Sequence, residues 1–223
     1  MVKEKSCLVT QALVGGVEWF LTAPSSIIKP DKGGDGVLTW KDKALQDLKN
    51  MLERIPGEFG EPAKRGILFE KKVYQYANEA VIPDKYSKEF KQVCNEVKGY
   101  QFFQKKGINV EIAGENCYLY AKFDAIKPPS IKDIKTTQSY SANKYLKGIQ
   151  HEIYCYVLGA KDFEYIIAEW GEYPKIKAVY KERYVVEDIN KLGVTIYNKV
   201  SETFSIIKDL GLWESYRTKY CLY

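Results

Sequence analysis

Asp124, Asp133 and Lys135 are the residues best placed to do chemistry together in this chain. Asp133-Ile134-Lys135 lies within a strand expected over Ile131 to Thr136. Residues two apart on a strand point to one face, so Asp133 and Lys135 should project side by side. Asp124 ends the preceding stretch, Tyr-Ala-Lys-Phe-Asp-Ala-Ile, and the short turn Lys127-Pro128-Pro129-Ser130 can bring it beside Asp133. Two carboxylates set together repel one another unless a cation sits between them. Oxygen ligands of this kind suit Mg2+ or Mn2+. Such an ion can activate a water and offset charge on phosphate oxygens, and a neighbouring lysine can orient that water. These are the requirements of phosphodiester hydrolysis. A lone Asp-Ile-Lys triplet is also an ordinary surface ion-pair pattern. Asp124 weighs against that reading, because an unpaired charge in an otherwise apolar strand is costly.

Gln150 and Tyr154 stand four apart and share a helix face, with Ile149, Ile153 and Val157 on another. They can reach a metal–phosphate site, or form a hydrogen-bonding couple at the edge of the core. Glu70, after Gly66-Ile67-Leu68-Phe69 on an early helix, can reach a metal directly or through water, or remain an exposed helical acid. His151, the single histidine, faces away from the Gln150/Tyr154 side and reads as a partly buried helix residue. From Ala121 to Lys147 there are six lysines and two acids, nearly the whole net charge of +5. Lys122, Lys132, Lys144 and Lys147 are the candidate DNA contacts there, since lysines near phosphates release counterions. Lys29 to Gly36 and the basic 85–106 stretch are further candidates. Solvated surface is the alternative for all of them.

The elements that must position these groups follow from periodicity. Helical patterning covers 6–22, the stretch from Trp40 (capped by Thr39) to the break at Pro56–Pro62, then 65–79 and 85–98, with Gly107 ending that basic helical region. Ile108 to Ile112 alternates as a strand, a turn at Gly114-Glu115-Asn116 follows, and a second strand runs from Tyr118 to Ile126 ahead of the third at 131–136. Asn143 to Leu158 reads as a helix stopped by Gly159. Strands at 163–170 and 176–184, joined around Gly171 and Pro174, precede a long helix over 186–212. This order predicts an α/β fold with a mixed central β-sheet flanked by α-helices.

Composition excludes some classes. With 45% apolar and 28% charged residues in 223, the chain reads as one globular domain: a helical N-terminal segment over 1–65, a core of about 66–170 and a closing helix over 186–213. Five cysteines without CxxC spacing disfavour zinc and iron–sulfur sites and read as free thiols of a reducing cytoplasm, with Cys117 and Cys155 in the core. Neither a signal peptide nor a membrane span is expected. Eighteen tyrosines suit cores, interfaces and base stacking alike.

Glu70 within GILFE, Asp124, Asp133-Ile134-Lys135 and Gln150-xxx-Tyr154 resemble, in order and spacing, the PD-(D/E)XK nuclease superfamily, nearest its RecB-like and lambda-exonuclease-like branches. The resemblance covers roughly Gly66 to Trp170. It implies a restriction-endonuclease-like core. Asp124, Asp133 and the Ile134 carbonyl would be metal ligands, Lys135 the residue acting on water, Glu70 an accessory ligand, and Gln150 and Tyr154 supports of the site. Ala121 stands where many members carry a glycine, the early-helix histidine of some RecB-like members is missing, and there is no helicase motif. The resemblance implies a DNA exonuclease of phage-type recombination or repair, in a bacterial or phage-infected cytoplasm. DNA would be its partner, and a single-strand annealing or recombination protein and a homo-oligomer are compatible with it. A restriction-like endonuclease, or an inactive nucleic-acid-binding protein on the same fold, are the alternatives.

Overall fold

A computed structural model describes residues 5–28, 38–57, 60–79 and 81–221. The candidate DNA-contact stretch Lys29 to Gly36 lies outside them. Contacts divide the chain into two compact units.

One unit comprises residues 1–57, 107–120 and 193–223. Its first element is a strand, β1 (Cys7–Thr10), followed without a break by α1 (Gln11–Thr22). The helical reading of 6–22 is therefore corrected at its start. Thr10 is extended, and its hydroxyl accepts the Leu13 N–H at 3.3 Å, so the strand hands directly to the helix through an N-cap. The expected cap at Thr39 opens α2 (Trp40–Leu52): Thr39 Oγ1 accepts the Asp42 N–H at 3.1 Å and Asp42 returns the bond to the Thr39 N–H at 3.0 Å.

The unit closes with α6 (Ile189–Asp209, most of it in this unit) and α7 (Trp213–Tyr220). The Tyr216 hydroxyl donates to the Leu8 carbonyl at 3.1 Å and the Tyr220 hydroxyl to that of Met51 at 2.8 Å. That docking sets Cys221 against Cys7, and the two are joined in a disulfide. The expectation of five free thiols is thus corrected. The partners lie 214 residues apart, and only the return of α7 onto β1 brings them together. Cys94, Cys117 and Cys155 are free and buried.

The second unit comprises residues 58–106 and 121–192. It holds α3 (Glu61–Tyr76), α4 (Lys88–Glu96), the start of β2 (Gln101–Ile112), the end of β3 (Glu115–Lys127), β4 (Ser130–Thr137), α5 (Gln150–Leu158), β5 (Asp162–Trp170) and β6 (Ile176–Val185). The basic helical region expected up to Gly107 is instead α4 followed by β2, which pairs with β3. Residues 101–107 of β2 are mostly exposed and lack the apolar alternation that marks 108–112 as strand. At its Gly107 a side chain would collide with the Tyr118 ring, within the other unit. The helix expected over 143–158 is a 3-10 turn, Tyr145–Lys147, and then α5, which begins only at Gln150. Gly159 at φ +71° ends α5 as expected, and the Ala160 N–H bonds back to the Cys155 carbonyl at 2.9 Å.

β3 and β4 are antiparallel, β4 and β5 parallel, β5 and β6 antiparallel. The architecture is the expected mixed sheet flanked by helices. Alternation along β5 assigns the two faces. Ile166, Ala168 and Trp170 join Ile134 in a core with Phe69 and Val73 of α3 and Phe90 and Val93 of α4. Phe163 and Tyr165 point the other way and meet Tyr154 and His151 of α5. His151, 2% exposed, lies 4.2 Å from the Tyr184 ring and is a core histidine; it meets Phe163 as Tyr154 does, so the partly buried position expected on a side away from Tyr154 is corrected.

Candidate active site

The site is built where a strand ladder stops. β3 and β4 pair from Lys127/Ser130 to Ala125/Lys132 and no further. At the next step the Ile134 N–H donates to a side chain, Asp124 Oδ2 at 3.1 Å, in place of a β3 carbonyl. A strand residue directs its N–H and C=O to the same neighbour, so the Ile134 carbonyl also faces this gap.

Asp133 and Lys135 project together, as period two requires. Lys135 Nζ lies 2.7 Å from Asp133 Oδ2. From α5, Gln150 Nε2 donates to Asp133 Oδ1 at 2.6 Å. Asp133 is only 2% exposed, so its charge is held between an ammonium and an amide with almost no water. The Lys135 ammonium also sits 5.9 Å from the centre of the Tyr165 ring. Tyr154, one turn beyond Gln150, is buried and packs on Phe123 at 5.2 Å. Burial foremost, then Asp133, pushes its phenol up to about 12.

Electrostatics tie the remaining residues to this point. Burial, and then the charge of Asp133, pushes Asp124 up to about 8, against the pull of Lys135. Glu70 on α3 is raised by burial and by Asp133, with Lys135 and Lys122 pulling it down. Burial alone would lower Lys135, but Asp133 and then Asp124 more than reverse this and hold it above the ordinary lysine range. The ammonium form of Lys135 is thereby favoured beside Asp133.

Tyr74 was not among the residues singled out from the sequence. It stands one turn beyond Glu70 on the α3 stripe that starts at Gly66. Burial, then the charges of Asp124, Glu70 and Asp133, pushes its phenol far up. Its i+4 relation to Glu70 was the available signal. Gly66 fixes the same stripe against β4, since a side chain there would meet Thr136 Oγ1 at 2.9 Å.

The candidate DNA-contact lysines separate. Lys122, Lys144 and Lys147 are exposed. The Tyr145 N–H donates to Glu182 Oε2 at 3.3 Å, and its ring lies 5.5 Å from Tyr165, which ties the short turn carrying Lys144 and Lys147 near the site. Lys132 is corrected: it points to the opposite face of β4 from Asp133 and is held at 3.1 Å by both Glu96 and Glu164, with 14% of its side chain exposed. Two carboxylates already partner it, which leaves it unsuited to a phosphate.

Among the described residues no group of three or more His, Cys, Asp or Glu closes on one point. A metal would then be held by Asp124, Asp133 and the Ile134 carbonyl, with Glu70 reaching it through water. A buried and a half-buried carboxylate with one cationic neighbour and a carbonyl in the same gap form a hard-oxygen donor set, which fits Mg2+ or Mn2+.

No protein-family model matches the chain, and no curated protein matches it. Among solved structures, the crystal structure of LHK-Exo in complex with dAMP is 13% identical, covers 95% of this chain and 92% of its own, and superposes with a TM-score of 0.51. The fold matches that of LHK-Exo. Another structure of that alkaline exonuclease, from Laribacter hongkongensis, gives 12% identity, 91% of each chain and a TM-score of 0.48. A phage related exonuclease from Haemophilus somnus 129PT gives 10%, 96% and 94% of the two chains, and 0.44. At such identities the likeness is one of fold. Among the described residues no helix is long and apolar enough to cross a membrane.

Proposed function

We propose that this chain is a Mg2+- or Mn2+-dependent exonuclease acting on DNA. The observation that carries this reading is the buried Asp133 carboxylate, gripped by Lys135 at 2.7 Å and Gln150 at 2.6 Å beside the protonatable Asp124. A fold shared with an exonuclease crystallised with dAMP supports the same reading. Asp124, Asp133 and the Ile134 carbonyl would hold a divalent cation, which would supply Lewis acidity and a water of lowered pKa. The chain's own residues do the rest. Asp124 would have to lose its proton to join this ligand set. Lys135 directs its ammonium at the attacking water and at charge developing on the phosphate. Gln150 keeps Asp133 from turning, and Glu70 holds or releases a proton at the edge of the site. Lys122, Lys144 and Lys147 take DNA phosphates. Phage-type recombination or repair, with a single-strand annealing protein as partner, is the setting this proposal fits.

The test is digestion of end-labelled linear duplex against closed circular DNA in Mg2+, Mn2+ and EDTA, with Lys135→Ala alongside. Metal-dependent loss of the linear form alone, abolished in the variant, is expected. Cutting of circles would make the chain an endonuclease. DNA binding with no cleavage under any metal would leave a binding protein on this fold.

A further inference from the structure

A second site lies on the other side of α3. Gly66, Glu70 and Tyr74 form the stripe that faces the carboxylates, while Arg65, Leu68, Phe69 and Lys72, at helical spacing, form a separate stripe. That second stripe lines a cleft of about 420 Å³ with the start of α4 and the β5–β6 turn. The size lies within the roughly 300–1,000 Å³ of small-ligand pockets.

Its lining has two components. Arg65, Lys72, Lys85 and Lys175 are cationic, and among the described lining residues no acid accompanies them. The aromatic component centres on Tyr173, 42% exposed, with the Arg65 guanidinium 4.6 Å from its ring centre. The Trp170 ring meets it edge-on at 5.3 Å and is itself braced by Phe69 at 5.3 Å. The aromatic floor is thus continuous with the core and rigid, and the cations stand at its rim. Exposed rings offer stacking to any base, and unpaired cations offer contacts to the backbone that links bases. A duplex presents its phosphates but not its base faces, and an acidic peptide has no faces to stack.

We propose that this cleft binds single-stranded nucleic acid, with Tyr173 as a base platform and Arg65, Lys72, Lys85 and Lys175 as phosphate partners. The proposal deepens the nuclease reading by placing a strand-holding site on the helix that carries Glu70, yet it requires no hydrolysis. It is therefore tested in EDTA, by anisotropy of a labelled oligothymidylate titrated with wild type, Lys72→Glu/Lys85→Glu, Tyr173→Ala and Lys43→Ala. The double reversal should weaken binding at least tenfold and flatten its salt dependence, by about 0.7 per lysine in log–log slope. Tyr173→Ala should weaken it about tenfold with the slope unchanged. Lys43→Ala, an exposed lysine of α2 outside both sites, should bind as wild type does. Melting temperatures identify any variant that fails to fold, and Lys175→Glu then serves as the substitute. Undiminished binding by folded cleft variants, absence of wild-type binding, or equal competition by polyglutamate each overturns the proposal. If cleavage is never seen but the cleft variants lose the oligonucleotide, the nuclease reading falls and the cleft stands.

Discussion

Replacing Gln150 by leucine removes one of the two donors on a carboxylate that water can hardly reach. The Gln150–Asp133 bond is 2.6 Å and Asp133 is 2% exposed, so no solvent molecule takes the amide's place. A hydrogen bond to a charged group contributes about 1.5–3 kcal/mol. Leucine keeps the volume, so cavity effects add little. We expect Gln150→Leu to lose about 2 kcal/mol, roughly a thirtyfold change in the folding equilibrium. For a chain of this size that is a fall of about 4–8 °C in Tm. Gln150→Glu places a second carboxyl against Asp133 and should lose more than leucine does at pH 8 than at pH 5, because the added group must then be held without its proton. The assay is urea and thermal unfolding of the three proteins at both pH values, without metal and with Mn2+. Metal should recover some of the Gln150→Glu deficit by bringing positive charge to the carboxylates. Stability of Gln150→Leu within about 0.5 kcal/mol of wild type, the usual range for surface substitutions, would refute the idea that this amide holds a buried charge.

Five further outcomes are expected. Lys122→Ala should weaken duplex binding severalfold and lower its salt slope by about 0.9 without changing Tm, whereas Lys132→Ala, which takes the lysine partner from Glu164 and one of the two from Glu96, should lower Tm and leave binding intact. Because Asp124 is pushed up to about 8, a metal must displace its proton: Mn2+ affinity measured by calorimetry should rise from pH 6 to about 8 and level off above, with proton release near pH 7, and a flat profile would contradict the ligand assignment. The sign for folding is opposite. A carboxyl raised in the folded state loses stability as pH rises from its unfolded value of about 3.9 through about 8, so metal-free protein should soften over that window. Gly66→Ala should cost about 1–3 kcal/mol by crowding Thr136 Oγ1, and Thr136→Ala in the same chain should restore most of it. Thiol titration under denaturing conditions should count three reactive cysteines before reduction and five after.

Reading the sequence located Asp133, Lys135, Gln150 and Tyr154 because each pairing follows a short, strict period along one element. It found Asp124 through its cost in an apolar strand. Elements whose signal lies in partners far along the chain were not legible. β1 has only four residues and runs straight into a capped helix, so its alternation is absorbed into the helical pattern. The first half of β2 is exposed and carries lysines where a buried strand would carry apolar residues, so only its alternating end, Ile108 to Ile112, was legible. Lys132 read as a free cation because its partners, Glu96 and Glu164, come from α4 and β5. Tyr74 gains its meaning only when α3 is laid beside β4. The disulfide depends on a terminal helix docking on the first strand.

The end of the β3–β4 ladder has a spectroscopic consequence. The Ile134 amide proton rests on a carboxylate whose charge changes when Asp124 gains or loses a proton, and not on a backbone carbonyl of fixed charge. Its chemical shift should therefore move as Asp124 titrates, and move again when an ion takes that oxygen, while the flanking amides bonded along β5 stay still. One backbone resonance thus reads the state of the carboxylate directly, in a protein that need not be turning over.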